Sequence, residues 1–124
     1  MGEPLLAPVY IRASRHVPPP PEAVADAMSA LLDLLESEPK PIVRAVLGHW
    51  LFGFIHPYMD GNGRLARFLM NLMMASGGYP WTIVRTSRRK DYLDALEGAS
   101  ADQNIVPFAK FIREEMNMDW TKGP

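Results

Sequence analysis

Hydrophobic side chains recur at helical spacing through most of the chain after residue 20. The first such segment begins at Pro21, a residue that suits the first position of a helix, and continues to the break ESEPKP. Its apolar positions are Val24, Ala27, Met28, Leu31, Leu32, Leu34 and Leu35. This spacing predicts a first helix with one apolar face.

A second helix is predicted from Pro41 in the segment PIVRAVLGHWLFGFIH, which ends where Pro57 follows His56. It is apolar nearly all round, as is typical of a helix in the middle of a bundle. The next segment, RLARFLMNLMMASGG, predicts a third helix that ends in two glycines suited to a C-terminal cap. Its apolar stripe consists of Leu65, Phe68, Leu69, Leu72 and Met73.

Two shorter helices are predicted after an extended connection, YPWTIVRT. The segment SRRKDYLDALEGA follows, with Ser87 as its expected N-cap. NIVPFAKFIREEM closes the chain with an amphipathic helix around Ile105, Phe108 and Ile112. The expected fold class is therefore all-α, a helical bundle.

The N-terminal segment has a different character. Prolines exclude a regular helix up to Pro21, and the β-branched and aromatic residues of VYIRASRHV favour a short strand. We expect a β flap at about residues 8–17, within a single domain that spans residues 1–124.

Composition narrows the possible functions mainly by exclusion. With 124 residues, of which 48% are hydrophobic and 22% charged, the chain is long enough for one core. A net charge of −1 gives no general reason to bind nucleic acid or an anionic membrane surface. The absence of cysteine excludes disulfides and thiolate zinc sites, and no apolar run approaches the roughly 20 residues of a bilayer-spanning helix. We expect a cytoplasmic protein that binds neither nucleic acid nor membrane.

The connection between the second and third helices carries more chemistry than a turn requires. Its sequence, HPYMDGNGRLAR, leads into a helix N-terminus, where unpaired backbone N–H groups attract anions. Gly61 and Gly63 let the backbone approach such a ligand closely. Arg64 and Arg67 lie three residues apart, hence on one helix face, where each can donate to phosphate oxygens. The pattern indicates a site for two phosphates.

Two further residues indicate how such a site would react. One carboxylate together with phosphate oxygens is a common way to hold Mg²⁺, so Asp60 suggests a nucleoside triphosphate with magnesium. His56 ends the second helix beside the same turn, and neutral imidazole can take a proton from an incoming hydroxyl. The chemistry implied is direct attack of a hydroxyl on a phosphate.

The segment HPYMDGNGRLAR resembles the Fic-family signature of His, any residue, an aromatic, any residue, Asp or Glu, Gly-Asn-Gly-Arg, two residues and Arg. The likeness extends from about Pro8 to Met116. VYIRASRHVPPPPEAV is similar to the flap and lead-in of Fic domains, and RRKDYLDALEGA with PFAKFI is similar to the helices that follow. The resemblance implies a protein adenylyltransferase that moves AMP from ATP to a Ser, Thr or Tyr hydroxyl of a target protein.

Within the motif, the resemblance implies a role for each position. His56 is the expected base and Asp60 the expected Mg²⁺ ligand. Asn62 and the backbone amides of Gly61 and Gly63 would form a cradle for the phosphates. Arg64 and Arg67 would bind the β- and γ-phosphates.

Outside the motif, the resemblance implies a flap over the nucleotide and an adenine pocket. The flap would also dock the target backbone as an added strand. It comprises Ala13, Ser14, Arg15 and His16. Tyr92 falls where the family has an aromatic against adenine, while Leu93 and Ser100 replace a Tyr and an Asn of some relatives, which leaves the choice of nucleotide open.

Other functions stay open on the sequence. One is transfer of UMP from UTP, and another is phosphoryl transfer as in Doc-like relatives, although these usually have Lys where Gly63 stands. A catalytically silent nucleotide-binding or interaction module belongs to a different class. Self-modification and homodimerisation are also left open.

Several other residues have structural interpretations. His49 lies two turns from His56, too far for a shared metal ion, and is expected to be a buried, hydrogen-bonded histidine. RTSRRK, residues 85–90, is interpreted as a solvated helix start, in contact with a target as one option. The methionines of the third helix are expected to fill the core: Met70, Met73 and Met74.

Fic domains are commonly inhibited by a helix with the pattern Ser or Thr, three residues, Glu, then Gly or Asn, whose glutamate pairs with the second motif arginine. Here that arginine would be Arg67. The one Glu followed by Gly or Asn is Glu97, and Leu93 stands four residues before it, so the pattern is not met. Because flap-like sequence follows Met1 and Gly2 at once, we expect a piece of a longer protein with any inhibitory helix upstream.

Overall fold

A computed structural model describes residues 14–118, which form five α-helices. They are α1 (Pro21–Ser37), α2 (Pro41–Ile55), α3 (Asn62–Ser76), α4 (Arg89–Ala101) and α5 (Val106–Met116), with a 3₁₀ turn at Thr86–Arg88 before α4. All five predicted helices and the all-α fold class are confirmed. The predicted flap falls largely outside the described residues, and Ala13 lies there too.

Proline and glycine set several of the helix boundaries. α1 and α2 each begin at a proline, whose fixed backbone angle and missing N–H suit the first helical position. α3 ends at Ser76 and is followed by Gly77 and Gly78, and Gly78 takes the left-handed conformation with φ +82°, as expected after a helix C-terminus. The prediction that Ser87 caps α4 is wrong, because Ser87 lies in the 3₁₀ turn and Arg88 occupies the cap position without a side-chain bond.

α2 is the central helix, in contact with all four other helices. One hydrophobic cluster lies between α2, α3, α4 and α5, and a second joins α1 to α2 and α3. This confirms the interpretation of α2 as a helix buried in the middle of the bundle. In the described part of the chain, none of the helices has the length and apolar character needed to cross a bilayer.

The buried face of α3 differs from the predicted stripe. Phe68 and Leu72 are 52% and 47% exposed, whereas Met70 and Met74 are fully buried, which confirms these two as core residues. Asn71 is buried as well, because its amide donates to the carbonyl of Thr82 and accepts from the Thr82 N–H. The face of α3 that is most deeply buried therefore includes a polar side chain bonded to the following connection, and a hydrophobic pattern alone does not predict this.

The basic segment 85–90 is only partly solvated. Arg85 donates through Nη2 and Nε to Glu115 at 2.7 and 3.1 Å, and Arg88 donates through Nη1 at 3.2 Å. Glu115 is 2% exposed and lies on α5. The expectation of a solvated helix start is therefore wrong for Arg85 and Arg88, whose charges tie the connection and α4 to α5.

Candidate active site

The motif begins with an unusual backbone conformation at His56. This residue ends α2 with φ 52° and ψ 61°, and its N–H donates to the carbonyl of Phe52 at 2.9 Å. A non-glycine residue in the left-handed region costs on the order of 1–3 kcal/mol, and such positions are concentrated at functional sites. The chain therefore leaves the axis of α2 abruptly at the half-buried His56.

Asn62 fixes the shape of the loop that follows. Its Oδ1 accepts from the N–H of Tyr58 at 3.0 Å, and its Nδ2 donates to the carbonyl of Tyr58 at 2.7 Å. Gly61 has φ +76°, a left-handed conformation that glycine adopts without strain. Asn62, expected in a phosphate cradle, is 4% exposed and uses its side chain to hold the loop closed before α3 begins.

A cavity of about 770 Å³ lies between α2, α3 and α4, next to the start of α3. This volume is in the range of small-molecule and cofactor sites. Five of the predicted site residues line it: Ser14, His16, Gly63, Arg67 and Tyr92. The other described ones do not: Arg15, His56, Asp60, Gly61, Asn62 and Arg64.

Some of the charged side chains in the cavity wall are paired in salt bridges and others are not. Lys90 forms a salt bridge with Asp94 at 2.7 Å, and Glu97 forms one with Arg15 at 3.4 Å. Within residues 14–118, Arg67 and Arg89 make no salt bridge, although both line the cavity. The uncompensated charge of this wall is therefore positive.

Arg89 was missed by sequence reasoning, which treated it as part of the basic segment 85–90. It precedes Tyr92 by three residues on α4, so the two side chains share a helix face. That spacing from an expected site residue is the signal that could have identified it.

The inner wall contains a buried polar pair. His49 is 1% exposed, and its Nε2 lies 2.7 Å from the hydroxyl of Tyr92, which confirms the prediction of a buried, hydrogen-bonded histidine. Burial first, and then the charge of Arg67, lower the pKa of His49 to about 4. Nearby, Trp50 donates to the hydroxyl of Ser100 at 3.1 Å, so Ser100 is tied to the cavity wall.

The described end of the flap is fastened to α4 and α2. The Ser14 hydroxyl and the Arg15 N–H both donate to the carboxylate of Glu97. His16 donates from Nε2 to the carbonyl of Phe54 at 2.7 Å. Sequence reasoning considered Glu97 only as a residue that fails the inhibitory pattern. Its contact with a segment 82 residues away gives no signal in the neighbouring sequence.

Electrostatics favour a neutral imidazole at His56. Burial is the main cause that lowers its pKa, and the neighbouring His16 lowers it further. A histidine with a lowered pKa is unprotonated near pH 7 and can accept a proton.

Known proteins are similar to this chain in sequence and in fold. A sequence model of the Fic/DOC family matches residues 3–74. Protein adenylyltransferase Fic of Nematostella vectensis is 43% identical over 80% of this chain and 24% of that protein, and protein adenylyltransferase fic-1 of Caenorhabditis elegans is 34% identical over 84% and 21%. The chain thus spans about a quarter of the length of these curated relatives.

Solved structures agree with the sequence comparison. The Fic-1 structure from C. elegans superimposes with a TM-score of 0.81 at 30% identity, covering 91% of this chain and 33% of that one. A Fic domain containing signaling protein from Bacteroides thetaiotaomicron gives a TM-score of 0.77 at 25% identity, covering 92% and 50%.

Proposed function

The chain belongs to the Fic/DOC family, and we propose that it transfers AMP from ATP to a Ser, Thr or Tyr hydroxyl of a target protein. The observation that carries the proposal is the guanidinium of Arg67, which lines a nucleotide-sized cavity and has no salt bridge to another residue in 14–118. Relatives named protein adenylyltransferases support the same activity.

The cavity suggests how ATP is oriented. Its phosphates would lie at the start of α3, where Gly63 has no side chain and the N-terminus lacks a side-chain cap. Arg67, in the cavity wall, and Arg64, exposed outside that wall three residues earlier on α3, would donate to the distal phosphates, since guanidinium groups bind phosphate oxygens in pairs of hydrogen bonds. The base would lie toward Leu93 and Trp50, in the wall formed by α4 and α2.

Asp60 is suited to one part of a magnesium site. It is exposed beside the loop and forms no salt bridge within residues 14–118. Those residues contain no cluster of three or more metal-binding side chains, so a protein-only cage is absent from this part of the chain. Mg²⁺ is commonly held by one carboxylate and substrate phosphates, and it would supply positive charge to the phosphates there.

In the proposed reaction, the target hydroxyl oxygen attacks the α-phosphorus of ATP. The bond from that phosphorus to the oxygen bridging to the β-phosphate breaks, and pyrophosphate leaves with the bonding electrons. His56 accepts the hydroxyl proton, a role that its lowered pKa supports. Arg67 offsets charge on the departing phosphates.

The flap would cover the nucleotide and align the target backbone. The bonds of Ser14 and Arg15 to Glu97 support a fixed position for the end of the flap that adjoins the bundle. The proposed partners are accordingly ATP and a protein with an accessible hydroxyl. A cytoplasmic location, self-modification, homodimerisation and the absence of nucleic-acid binding stay predictions.

Labelled ATP tests this proposal. The chain is incubated with a cell lysate and ATP labelled at either the α- or the γ-phosphate, with labelled UTP in a parallel reaction. We expect label on protein from the α-position of ATP only, and a loss of about a hundredfold or more with His56→Ala because the base is removed. Label from the γ-position, label from UTP alone, or no protein label contradicts the proposal.

A further inference from the structure

Three side chains from three helices meet at the inner wall of the cavity. His49 of α2 lies with Nε2 2.7 Å from the hydroxyl oxygen of Tyr92 of α4. The same oxygen lies 3.5 Å from Nη1 of Arg67 of α3, at the long limit of a hydrogen bond. His49 and Tyr92 are 1% and 4% exposed, whereas Arg67 is half-buried and reaches the cavity.

The chemistry of these groups gives the contacts a direction. Arginine can only donate, so the Tyr92 oxygen accepts from Arg67 and its own hydrogen is available to His49. The Tyr92 hydrogen finds an acceptor when Nε2 of His49 is the unprotonated nitrogen, in a neutral ring with its own hydrogen on Nδ1. Burial keeps this ring neutral near pH 7, and Nδ1 has no hydrogen-bond partner in the described part of the chain.

The contact with Tyr92 restricts the guanidinium of Arg67, which has few other partners among the described residues. Within residues 14–118 no carboxylate fixes its guanidinium. The guanidinium also lies close to Gly63, where an added Cβ would stand 3.3 Å from Nη1. An arginine side chain has substantial rotamer freedom, and holding it before a ligand arrives reduces the entropy lost on binding.

We propose that His49 and Tyr92 are positioning residues, which hold the guanidinium of Arg67 in the orientation that binds the distal phosphates of a nucleoside triphosphate. This inference rests on the proposed function. It gives Tyr92 a role at the phosphate end of the cavity, through its hydroxyl, in addition to any contact of its ring with a base. The ring itself packs against Phe108 and Phe111 in the core.

Tyr92→Phe is the informative variant because it removes the hydroxyl and keeps the ring. Dissociation constants for ATP and AMP are measured by calorimetry, and folding is followed by thermal unfolding. We expect ATP to bind about three- to tenfold more weakly and AMP to bind as before, because one hydrogen bond to Arg67 is lost. Tyr79→Phe, which removes a hydroxyl outside the cavity, is the matched control and leaves both constants unchanged.

The same substitution in the Arg67→Ala background separates positioning from a general structural effect. If Tyr92 acts through Arg67, Tyr92→Phe changes the ATP constant no further there. Unchanged ATP binding with Tyr92→Phe in the parent, or equal losses for ATP and AMP, overturns the inference. If Arg67→Ala still weakens the binding of ATP more than that of AMP in that experiment, the proposed function stands and only the positioning role fails. A parent chain that binds no ATP refutes both.

Discussion

Among the described residues 14–118, two pairs of arginines stand three residues apart, Arg64 with Arg67 and Arg85 with Arg88. The second pair converges on one buried carboxylate, that of Glu115, and Arg88 also contacts Glu114 at 2.8 Å. The first pair forms no salt bridge within residues 14–118. The two pairs have the same spacing in the sequence. They differ in the described part of the structure because carboxylates lie beside Arg85 and Arg88 only.

The difference teaches how to recognise an anion site among ordinary arginines. A guanidinium already satisfied by a carboxylate has little to gain from a phosphate, whereas one without an internal counter-charge can bind one. Arg67 meets this condition beside a cavity, and Arg85 and Arg88 instead join the connection before α4 to α5. The second pair therefore contributes to stability, whereas ligand binding by the first pair stays part of the proposed function.

The largest expected effect is on stability, at Glu115. Glu115→Gln leaves two arginines without their buried partner, and breaking such a pair costs about 3–5 kcal/mol. We expect urea unfolding to show a loss of this size, while the folded protein retains its ATP affinity. Glu114→Gln is the matched control, because its carboxylate is 56% exposed and surface pairs contribute at most about 1 kcal/mol. A stable Glu115→Gln variant would remove the contrast between the two pairs.

A second effect concerns His49, whose pKa is lowered to about 4 by burial and then by Arg67. The unfolded chain protonates this ring near pH 6.5, so the stability it contributes is complete above that pH. It is lost as the pH falls toward 4, and at ~1.4 kcal/mol per pH unit the loss is roughly 3 kcal/mol.

Unfolding free energies between pH 7 and 4 check this sign. We expect His49→Gln to remove that part of the pH dependence. Arg67→Ala reduces it, because one cause of the lowered pKa is gone, whereas Arg88→Ala leaves it unchanged. Equal slopes for the parent and His49→Gln would show that the folded and unfolded chains protonate His49 alike, so that folding does not lower its pKa.

The smallest expected effect is at a third kind of arginine, one paired at the surface. Arg15 is 66% exposed in its side chain and contacts Glu97 and Asp102. Glu97→Gln weakens the bonds to Ser14 and Arg15 and costs less than about 1 kcal/mol. We expect faster amide hydrogen exchange at residues 14–17 with little change in α5, and a weaker effect with Asp102→Asn. Unchanged exchange would contradict a role for Glu97 in fastening the flap.

The sequence predicts the helices well because each is encoded locally. Proline at the start of α1 and α2 and glycines after α3 act within a few residues of the boundary they set. The buried face of α3 was predicted only in part, because Leu65, Leu69 and Met73 pack against the core whereas Phe68 and Leu72 are exposed. The sequence pattern also missed the buried Asn71, whose amide bonds to Thr82 across a connection. A periodicity of apolar residues carries no information about such a bond.

The candidate site divides in the same way. The motif at 56–67 is contiguous, so its histidine, aspartate, glycines and arginines are visible in the sequence. The cavity wall combines residues from α2, α3 and α4, so the contact of Glu97 with the flap and the link from His49 through Tyr92 to Arg67 appear only in three dimensions. Burial and partners decide these roles, and neither is a property of residue type.

Nucleotide calorimetry on Arg67→Ala beside Arg88→Ala tests the central claim most directly. Both substitutions remove one guanidinium, and only the first removes one that lines the cavity without a carboxylate partner among residues 14–118. We predict that Arg67→Ala weakens ATP binding about 30-fold, as expected for charge-assisted bonds to the distal phosphates, and leaves AMP binding nearly unchanged. Arg88→Ala should lower stability and preserve both affinities. Equal losses for ATP and AMP with Arg67→Ala, or a selective loss of ATP with Arg88→Ala, would contradict the account.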